Sequence, residues 1–175
     1  MIENLKTERF LLRRFKNDDL ENVFKGLSHP EVIKYYGVNF SSLHETREQM
    51  KWFEELEQNG TGAWWAICSP ETETFFGAAG FNDLSKEHRK AEIGFWLLPE
   101  FWRKGIIQEV LPVICDFAFT KMNLHRIEAF VETENKASAK ALKKQGFRHE
   151  GTMVDSEVKN GSFISVDLFA KLKNE

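Results

Sequence analysis

Residues 91–111, AEIGFWLLPEFWRKGIIQEVL, decide the fold of this chain. The first eight are apolar, aromatic or glycine apart from Glu92, a composition typical of a strand in a buried sheet. Pro99 interrupts the run, and from Gly105 onward apolar residues recur at helical spacing. The stretch therefore predicts a strand, a short loop of aromatic and basic residues, and a helix.

The predicted strand has two different faces. Because side chains alternate along a strand, Ala91, Ile93, Phe95 and Leu97 share one face. Glu92, Gly94 and Trp96 share the other. Glu92 is therefore the one carboxylate of this strand.

The loop between strand and helix is suited to bind an anion. The first backbone N–H groups of a helix have no intrahelical acceptor, and the helix dipole adds partial positive charge there. Gly105 permits close approach to the backbone, and Arg103 and Lys104 add positive charge. The chain has no GxxxxGK[ST] and no GxGxxG pattern, which argues against the nucleotide sites built on them. On these residues alone, an ordinary turn with solvated charges remains an alternative.

Length and composition predict a single soluble domain over residues 1–175. The chain is 42% hydrophobic and 13% aromatic, enough for one full core. A formal net charge of -3 without a long basic run argues against nucleic acid as a partner. No apolar stretch approaches the roughly 18 residues of a membrane span, and residues 1–10 lack a signal-peptide core. We therefore expect a cytoplasmic protein with no membrane partner.

Cysteines and histidines indicate neither a disulfide nor a metal site. Cys68 and Cys115 each lie in an apolar segment, so we expect buried free thiols. The five histidines are scattered without zinc-type spacing. We expect no metal.

The other segments predict a mixed α/β sheet flanked by helices. Residues 7–15 alternate like a first strand, and residues 17–19 cap a helix that runs to about residue 28. Ser42 and Glu45 form a capping box that opens a helix ending near Gly60. Three short runs between residues 63 and 98 indicate an antiparallel meander. After the helix at 105–122, the pattern predicts a strand at 126–132, a helix at 136–145 and two closing strands.

Taken together, these motifs resemble the GCN5-related N-acetyltransferase (GNAT) superfamily, and within it the bacterial ribosomal-protein N-terminal acetyltransferases of the RimJ/RimL type. The resemblance rests on residues 91–111, NLHRIEAFVETENKASAKALKKQGFRHEG at 123–151 and SVDLFAKL at 165–172. It is dense over 90–151 and weaker elsewhere. It implies the acyl-CoA N-acyltransferase fold, with a mixed, mostly antiparallel sheet, and transfer of acetyl from acetyl-CoA to a primary amine.

The resemblance also implies where acetyl-CoA binds. In the superfamily this loop holds the pyrophosphate with the pattern Gln/Arg-x-x-Gly-x-Gly/Ala. Here Gly105 stays while Trp102 and Ile107 replace the ends, which leaves the N–H groups of residues 103–108 as the expected cradle. Lys136, Lys140 and Lys143 share a helix face that could attract the 3'-phosphate or could simply be solvated. The expected contacts are Phe95, Trp96, Leu97, Arg103, Lys104, Gly105, Ile106, Ile107, Gln108, Asn135 and Lys143.

Two catalytic residues follow from the same resemblance. Glu92 would accept the amine proton, through a water, and Ser138 would protonate the departing sulfur. Asn135 would contact the pantetheine arm. A solvated carboxylate and two helix-capping residues remain the alternatives. Another branch of the superfamily uses a tyrosine as proton donor, but the tyrosines of this chain lie far upstream, at positions 35 and 36.

The acceptor is harder to predict. At pH 7 about a tenth of an α-amino group is neutral, against about one in 10³ to 10⁴ for a lysine-like or polyamine amine, so a single carboxylate suits the former. We expect the N-terminal α-amine of a protein, such as a ribosomal protein. A small amine (polyamine, amino acid or antibiotic) and an idle CoA-binding protein stay open, as does a homodimer paired through the closing strand at 162–172. Residues that could line an acceptor cleft are Tyr35, Tyr36, Trp52, Phe53, Trp64 and Trp65.

Overall fold

One twisted sheet organises the part of the chain that the computed structural model describes, residues 2–173. Within these residues it has eight strands in the order β1-β2-β3-β4-β5-β6-β8-β7. All neighbours pair antiparallel except β5 and β6, which are parallel. The strands are β1 (Leu5–Lys6), β2 (Leu11–Arg13), β3 (Ala63–Cys68), β4 (Phe75–Ser85), β5 (Lys90–Leu97), β6 (Arg126–Glu132), β7 (Arg148–Lys159) and β8 (Ser162–Leu172).

Helices cover both faces of the sheet. They are α1 (Leu20–Leu27), α2 (Pro30–Ile33), α3 (Leu43–Asn59), α4 (Ile106–Thr120) and α5 (Lys136–Lys144). The first three pack on the face that carries Trp64 and Trp96, whereas α4 and α5 pack on the face that carries Trp65 and Ile93. We call these the Glu92 face and the α4 face. The mixed, mostly antiparallel sheet with flanking helices confirms the predicted fold class.

The predicted alternation in β5 is confirmed by its two cores. Ala91, Ile93 and Leu97 lie buried in the core beneath α4. Trp96 is buried on the opposite face, where its ring lies so close to Gly26 of α1 that a Cβ there would sit 2.2 Å from it. Glycine at position 26 is therefore what lets α1 settle onto the strand.

The N-terminal segment differs from the prediction. The single strand expected over residues 7–15 is two short strands joined by a turn at 7–10. Thr7 closes that turn, because its N–H donates to the Phe10 carbonyl at 2.9 Å and its hydroxyl accepts from the Phe10 N–H at 3.0 Å. The turn was not predicted because the pattern of apolar and polar residues continues through it. A threonine that closes a turn with its side chain does not interrupt that pattern.

The capping box at α3 is half confirmed. Ser42 Oγ accepts the N–H of Glu45 at 3.2 Å, and the helix ends at Gly60 with φ +65°. The Glu45 carboxylate, however, binds the N–H and hydroxyl of Ser41, each at 2.8 Å, instead of returning to Ser42. These bonds lower the pKa of Glu45.

The closing strand is not a sheet edge. β8 pairs with β6 on one side and β7 on the other, so the expectation that residues 162–172 meet a neighbouring chain is wrong for that strand. β7 forms the edge instead.

Both cysteines are buried free thiols, as predicted, and burial raises the pKa of Cys68 to about 11 and of Cys115 to about 12. No helix within residues 2–173 is both long and apolar enough to cross a membrane.

Candidate active site

A gap between β5 and β6 lies at the centre of the candidate site. Their parallel pairing covers Lys90↔Arg126, Ala91↔Ile127 and Glu92↔Glu128 and then stops. β5 continues to Leu97 and β6 to Glu132 without pairing to each other, so backbone groups on the facing edges are free for another partner. An extended chain with amide groups, such as a pantetheine arm, fits such a pair of edges.

The loop that follows β5 leads to the N-terminus of α4. Gly105 precedes the helix with φ +75°, a conformation that favours glycine, and no side chain within residues 2–173 caps the helix. Trp102 fixes the loop to β5 because its indole Nε1 donates to the Leu97 carbonyl at 2.9 Å. Trp102, Arg103, Lys104 and Gly105 are exposed. Uncapped N–H groups with two exposed bases fit a pyrophosphate.

Glu92 lies where pairing between β5 and β6 ends. It is partly buried, and burial, followed by the negative charge of Asp83, raises its pKa to about 7. Asp83 approaches because β4 shifts register between Asn82 and Ser85, where Asp83 adopts φ +49°. A carboxyl group that titrates near neutral pH can accept a proton under ordinary conditions.

Glu128, directly across from Glu92, is in a different state. Lys90 Nζ lies 2.9 Å from its Oε2, and Arg126 Nε lies 2.7 Å from its Oε1. Burial acts to raise the pKa of Glu128, but the bonds from Arg126 and Lys90 outweigh it and lower the pKa. Glu128 therefore stays a charged, occupied carboxylate.

Asn135 and Ser138 lie together at the start of α5. Asn135 is the N-cap, and its side-chain oxygen accepts the N–H of Ser138 at 3.2 Å, so the capping role is observed. The Ser138 hydroxyl is partly buried and forms no hydrogen bond within residues 2–173. It is thus free to donate elsewhere.

Comparisons with known proteins identify the family. A family model for the Acetyltransferase (GNAT) domain matches residues 9–148. YoaA of Bacillus subtilis (strain 168), an uncharacterized N-acetyltransferase, is 34% identical over 174 residues, which are 99% of this chain and 98% of that protein. This chain belongs to the GNAT acetyltransferase family. Family membership confirms the predictions of an N-acetyltransferase and of acetyl-CoA as its co-substrate.

Solved structures share the GNAT fold over nearly all of both chains. A GNAT acetyltransferase from Bacillus anthracis has a TM-score of 0.87 at 26% identity, covering 99% of this chain and 100% of that one. RimL, a ribosomal L7/L12 alpha-N-protein acetyltransferase solved with coenzyme A, has a TM-score of 0.88 at 21% identity and coverages of 97% and 98%. The spermidine N-acetyltransferase from Vibrio cholerae, solved with CoA and spermine, has a TM-score of 0.85 at 22% identity and coverages of 95% and 96%.

Arg9 is a residue of the GNAT loop region that sequence reasoning missed. Its Nη1 donates to the Lys104 carbonyl at 3.2 Å, and its Nε lies 2.6 Å from Glu109 Oε2 in the first turn of α4. Its Nη2 would lie 3.5 Å from a Cβ at Gly105. No local pattern links residue 9 to residue 104, so only the fold reveals this contact.

Tyr36 is also closer than the sequence suggested. Burial and the negative charge of Glu92 raise the pKa of its phenol, so Tyr36 lies near the candidate base of this GNAT site. Distance along the chain was therefore a poor reason to set the tyrosines aside. The segment after α2 folds back over the sheet, which hydrophobic periodicity does not predict.

The predicted aromatic lining divides between the two faces. Trp65 lies fully buried on the α4 face against Phe117, so it is wrong as a residue of an acceptor cleft on the Glu92 face. Trp64 is on the Glu92 face, where its ring would lie 2.8 Å from a Cβ at Gly94. Trp52 and Phe53 pack against Trp64, with ring centroids 5.9 and 5.5 Å away.

The predicted cofactor contacts occupy different environments in this GNAT domain. The side chains of Trp96, Leu97 and Ile106 are buried in the cores, so their backbone is what can contact a ligand. Phe95 and Ile107 are partly buried against the α4-face core. Lys143 is exposed, with its Nζ 5.7 Å from the Phe169 ring centroid.

Gln108 links the helices on either side of the site. Pro112 lies inside α4 and lacks the N–H that would donate to the Gln108 carbonyl. Gln145, at the end of α5, supplies the missing donor: its Nε2 lies 3.2 Å from that carbonyl and 3.1 Å from Gln108 Oε1. Lys171 of β8 in turn donates to the Gln145 carbonyl at 2.7 Å.

Proposed function

We propose that this enzyme acetylates the α-amino group of a protein N-terminus, such as that of a ribosomal protein. The observation that carries the proposal is Glu92: a carboxyl group at the mouth of the β5–β6 gap, with no ion pair within residues 2–173 and a pKa of about 7. A base of that strength is matched to an amine whose own pKa is near 8, and poorly matched to one near 10.4.

The named relatives support an amine as the acceptor but do not identify which amine this enzyme acetylates. RimL is a ribosomal-protein acetyltransferase at 21% identity. A spermidine N(1)-acetyltransferase of Escherichia coli (strain K12) is 23% identical over 154 residues, covering 87% of this chain and 80% of that protein. The proposal of a protein N-terminus therefore rests on Glu92 and its raised pKa.

Each residue of the site has a proposed part. Acetyl-CoA supplies an acetyl group activated as a thioester. The N–H groups at residues 103–108, with Arg103 and Lys104, bind its pyrophosphate, and the free edge of β5 with Asn135 orients its extended arm. Glu92 takes one proton from the ammonium, through a water, which leaves a neutral amine next to the gap.

The transfer then balances as follows. A bond forms between the amine nitrogen and the acetyl carbon while the carbon–sulfur bond breaks. The sulfur receives a proton from the Ser138 hydroxyl, and the second amine proton returns to Ser138 and restores that hydroxyl. Tyr36 is a second candidate donor, because burial near Glu92 keeps its phenol protonated. Ser138→Ala and Tyr36→Phe, compared in single-turnover rates with acetyl-CoA affinity measured alongside, separate the two.

A direct competition tests the acceptor. Purified protein with acetyl-CoA is offered a peptide with a free N-terminal serine or alanine, the same peptide N-terminally blocked but containing lysine, and spermidine. We expect thiol release with the free N-terminus at a kcat/KM at least about tenfold above the other two. A preference for spermidine or for the lysine side chain would overturn the proposal.

A further inference from the structure

The far end of the Glu92 face contains a cation site that the chain fills itself. Lys159, at the end of β7, places its ammonium against the Glu132 carboxylate and the Lys34 carbonyl, donating to both. Its Nζ lies 5.9 Å from the centre of the Tyr35 ring. A carboxylate, a carbonyl and an aromatic face together are the groups that bind an ammonium ion.

This site belongs to the same face as the candidate base. Side chains alternate along β6, and Ile127, Ala129 and Val131 point into the core under α4. Glu128, Phe130 and Glu132 therefore point to the Glu92 face. Phe130 is 42% exposed there, so an apolar surface separates the two carboxylates. Four residues of strand place Glu132 about 13 Å from Glu128.

Because Glu92 lies directly across from Glu128 on the neighbouring strand, an extended chain carrying two amines could place one amine at Glu92 and the other near Glu132. In this protein both carboxylates of β6 are already ion-paired: Glu128 with Lys90 and Arg126, and Glu132 with Lys159. The Glu132–Lys159 pair is mostly shielded, with 18% and 27% of the side chains exposed. A second ammonium would meet the like charge of Lys159 instead of a free carboxylate.

We propose that Lys159 is a specificity-determining residue that occupies an ammonium subsite and so excludes acceptors with a second amine. The inference rests on the amine acetylation proposed above and narrows its substrate class to acceptors with one reacting ammonium, such as a peptide N-terminus. Repulsion of the wrong substrate by an internal charge is a general route to selectivity.

Lys159→Met tests the proposal, because methionine keeps an apolar stem and removes the ammonium. We expect kcat/KM for spermidine to rise about tenfold relative to the wild type, while that for butylamine, which has one amine, changes less than about twofold. Lys51→Met is the matched control: it removes a lysine of α3 that is 66% exposed and paired with Glu55. An unchanged ratio of spermidine to butylamine in Lys159→Met would overturn the proposal.

A binding measurement keeps the test independent of turnover. In calorimetric titration of CoA-saturated protein, spermidine should bind Lys159→Met about tenfold more tightly than the wild type, and Glu132→Gln in the same variant should abolish the gain. The double variant also leaves no buried unpaired charge if Lys159→Met alone proves unstable. Equal spermidine affinity in all three proteins would reject the subsite. Absence of acetylation with every amine would instead reject the proposed function, while the titration still decides Lys159.

Discussion

Glu92 and Glu128 are the same residue type, on the same face, directly across the last pair of β5 and β6. Glu128 has two basic partners and a lowered pKa. Glu92 is partly buried and lies near the Asp83 carboxylate, and these two causes raise its pKa to about 7. The difference shows that position on the sheet does not make a carboxylate a base. Lys90 and Arg126 keep Glu128 ionised, whereas burial and the nearby Asp83 let Glu92 exchange a proton near pH 7.

Exchanging each carboxylate for its amide should give opposite outcomes, and this is the largest effect we expect. Glu92→Gln should lower kcat by about 10² to 10⁴, since a general base contributes that much. The wild-type rate should rise with pH through about 7, where Glu92 loses its proton, and this limb should be missing in the variant. Steady-state kinetics from pH 5.5 to 9 would check both.

Glu128→Gln is the matched control and should act on stability. It removes two charge-assisted bonds from a carboxylate whose side chain is 14% exposed, at a cost of about 1 to 3 kcal/mol. Glu92→Gln should instead increase the stability of the folded protein at neutral and higher pH. Because folding raises the Glu92 pKa, its contribution favours folding below about pH 4.5 and is lost as pH rises to about 7. The melting temperature of Glu92→Gln should therefore exceed that of the wild type at pH 8 and match it near pH 4.5. An equal loss of activity in Glu92→Gln and Glu128→Gln would contradict the proposal that Glu92, and not Glu128, is the base.

Asp83→Asn should make Glu92 more like an ordinary carboxyl group. Removing the second-largest cause of its raised pKa should move the rising limb of the pH profile down by about 0.5 to 1 pH unit. Asparagine tolerates the φ of +49° at this position. Asp155→Asn, also exposed and at φ +49° but on β7, three positions from β5 in the sheet, is the control and should leave the profile unchanged. A limb that stays in place in Asp83→Asn would remove Asp83 as a cause.

Arg126→Gln should give the smallest effect. Glu128 keeps Lys90 but loses one neutralising partner, so its negative charge acts more strongly on Glu92 and the rising limb should move upward by a few tenths of a pH unit. Arg47→Gln, which removes an exposed charge from α3, serves as the comparison. A downward shift of the rising limb would contradict the view that Lys90 and Arg126 neutralise the charge of the Glu128 carboxylate.

The fold was largely readable from the sequence, because its strands and helices carry their own periodicity. Residues 126–132 and the helix ended by Gly146 follow local rules of alternation and capping. The turn at Thr7 was missed since the same alternation runs through it. The inner position of β8 was missed because strand order depends on pairing between distant segments.

The site was readable only where one segment supplies it. Gly105 and Asn135 follow from turn and cap chemistry, and both have the predicted local conformation. Arg9, Tyr36 and Lys159 come from segments far along the chain, and nothing in their own neighbours indicates where they lie. Long-range contacts of this kind determine the electrostatics of the site more than its motif does.

Pro112 has a mechanical consequence. A proline within a helix usually creates a hinge, because one carbonyl loses its partner. Here the Gln145 side chain donates to the Gln108 carbonyl. The position where α4 lacks a backbone hydrogen bond is therefore also the position where it is attached to α5. The helix that follows the loop at Gly105 and the helix that carries Ser138 are thereby coupled, and bending at Pro112 would have to break the bonds to Gln145. We expect the amides of these two helices to open together, as one cooperative unit, in hydrogen exchange.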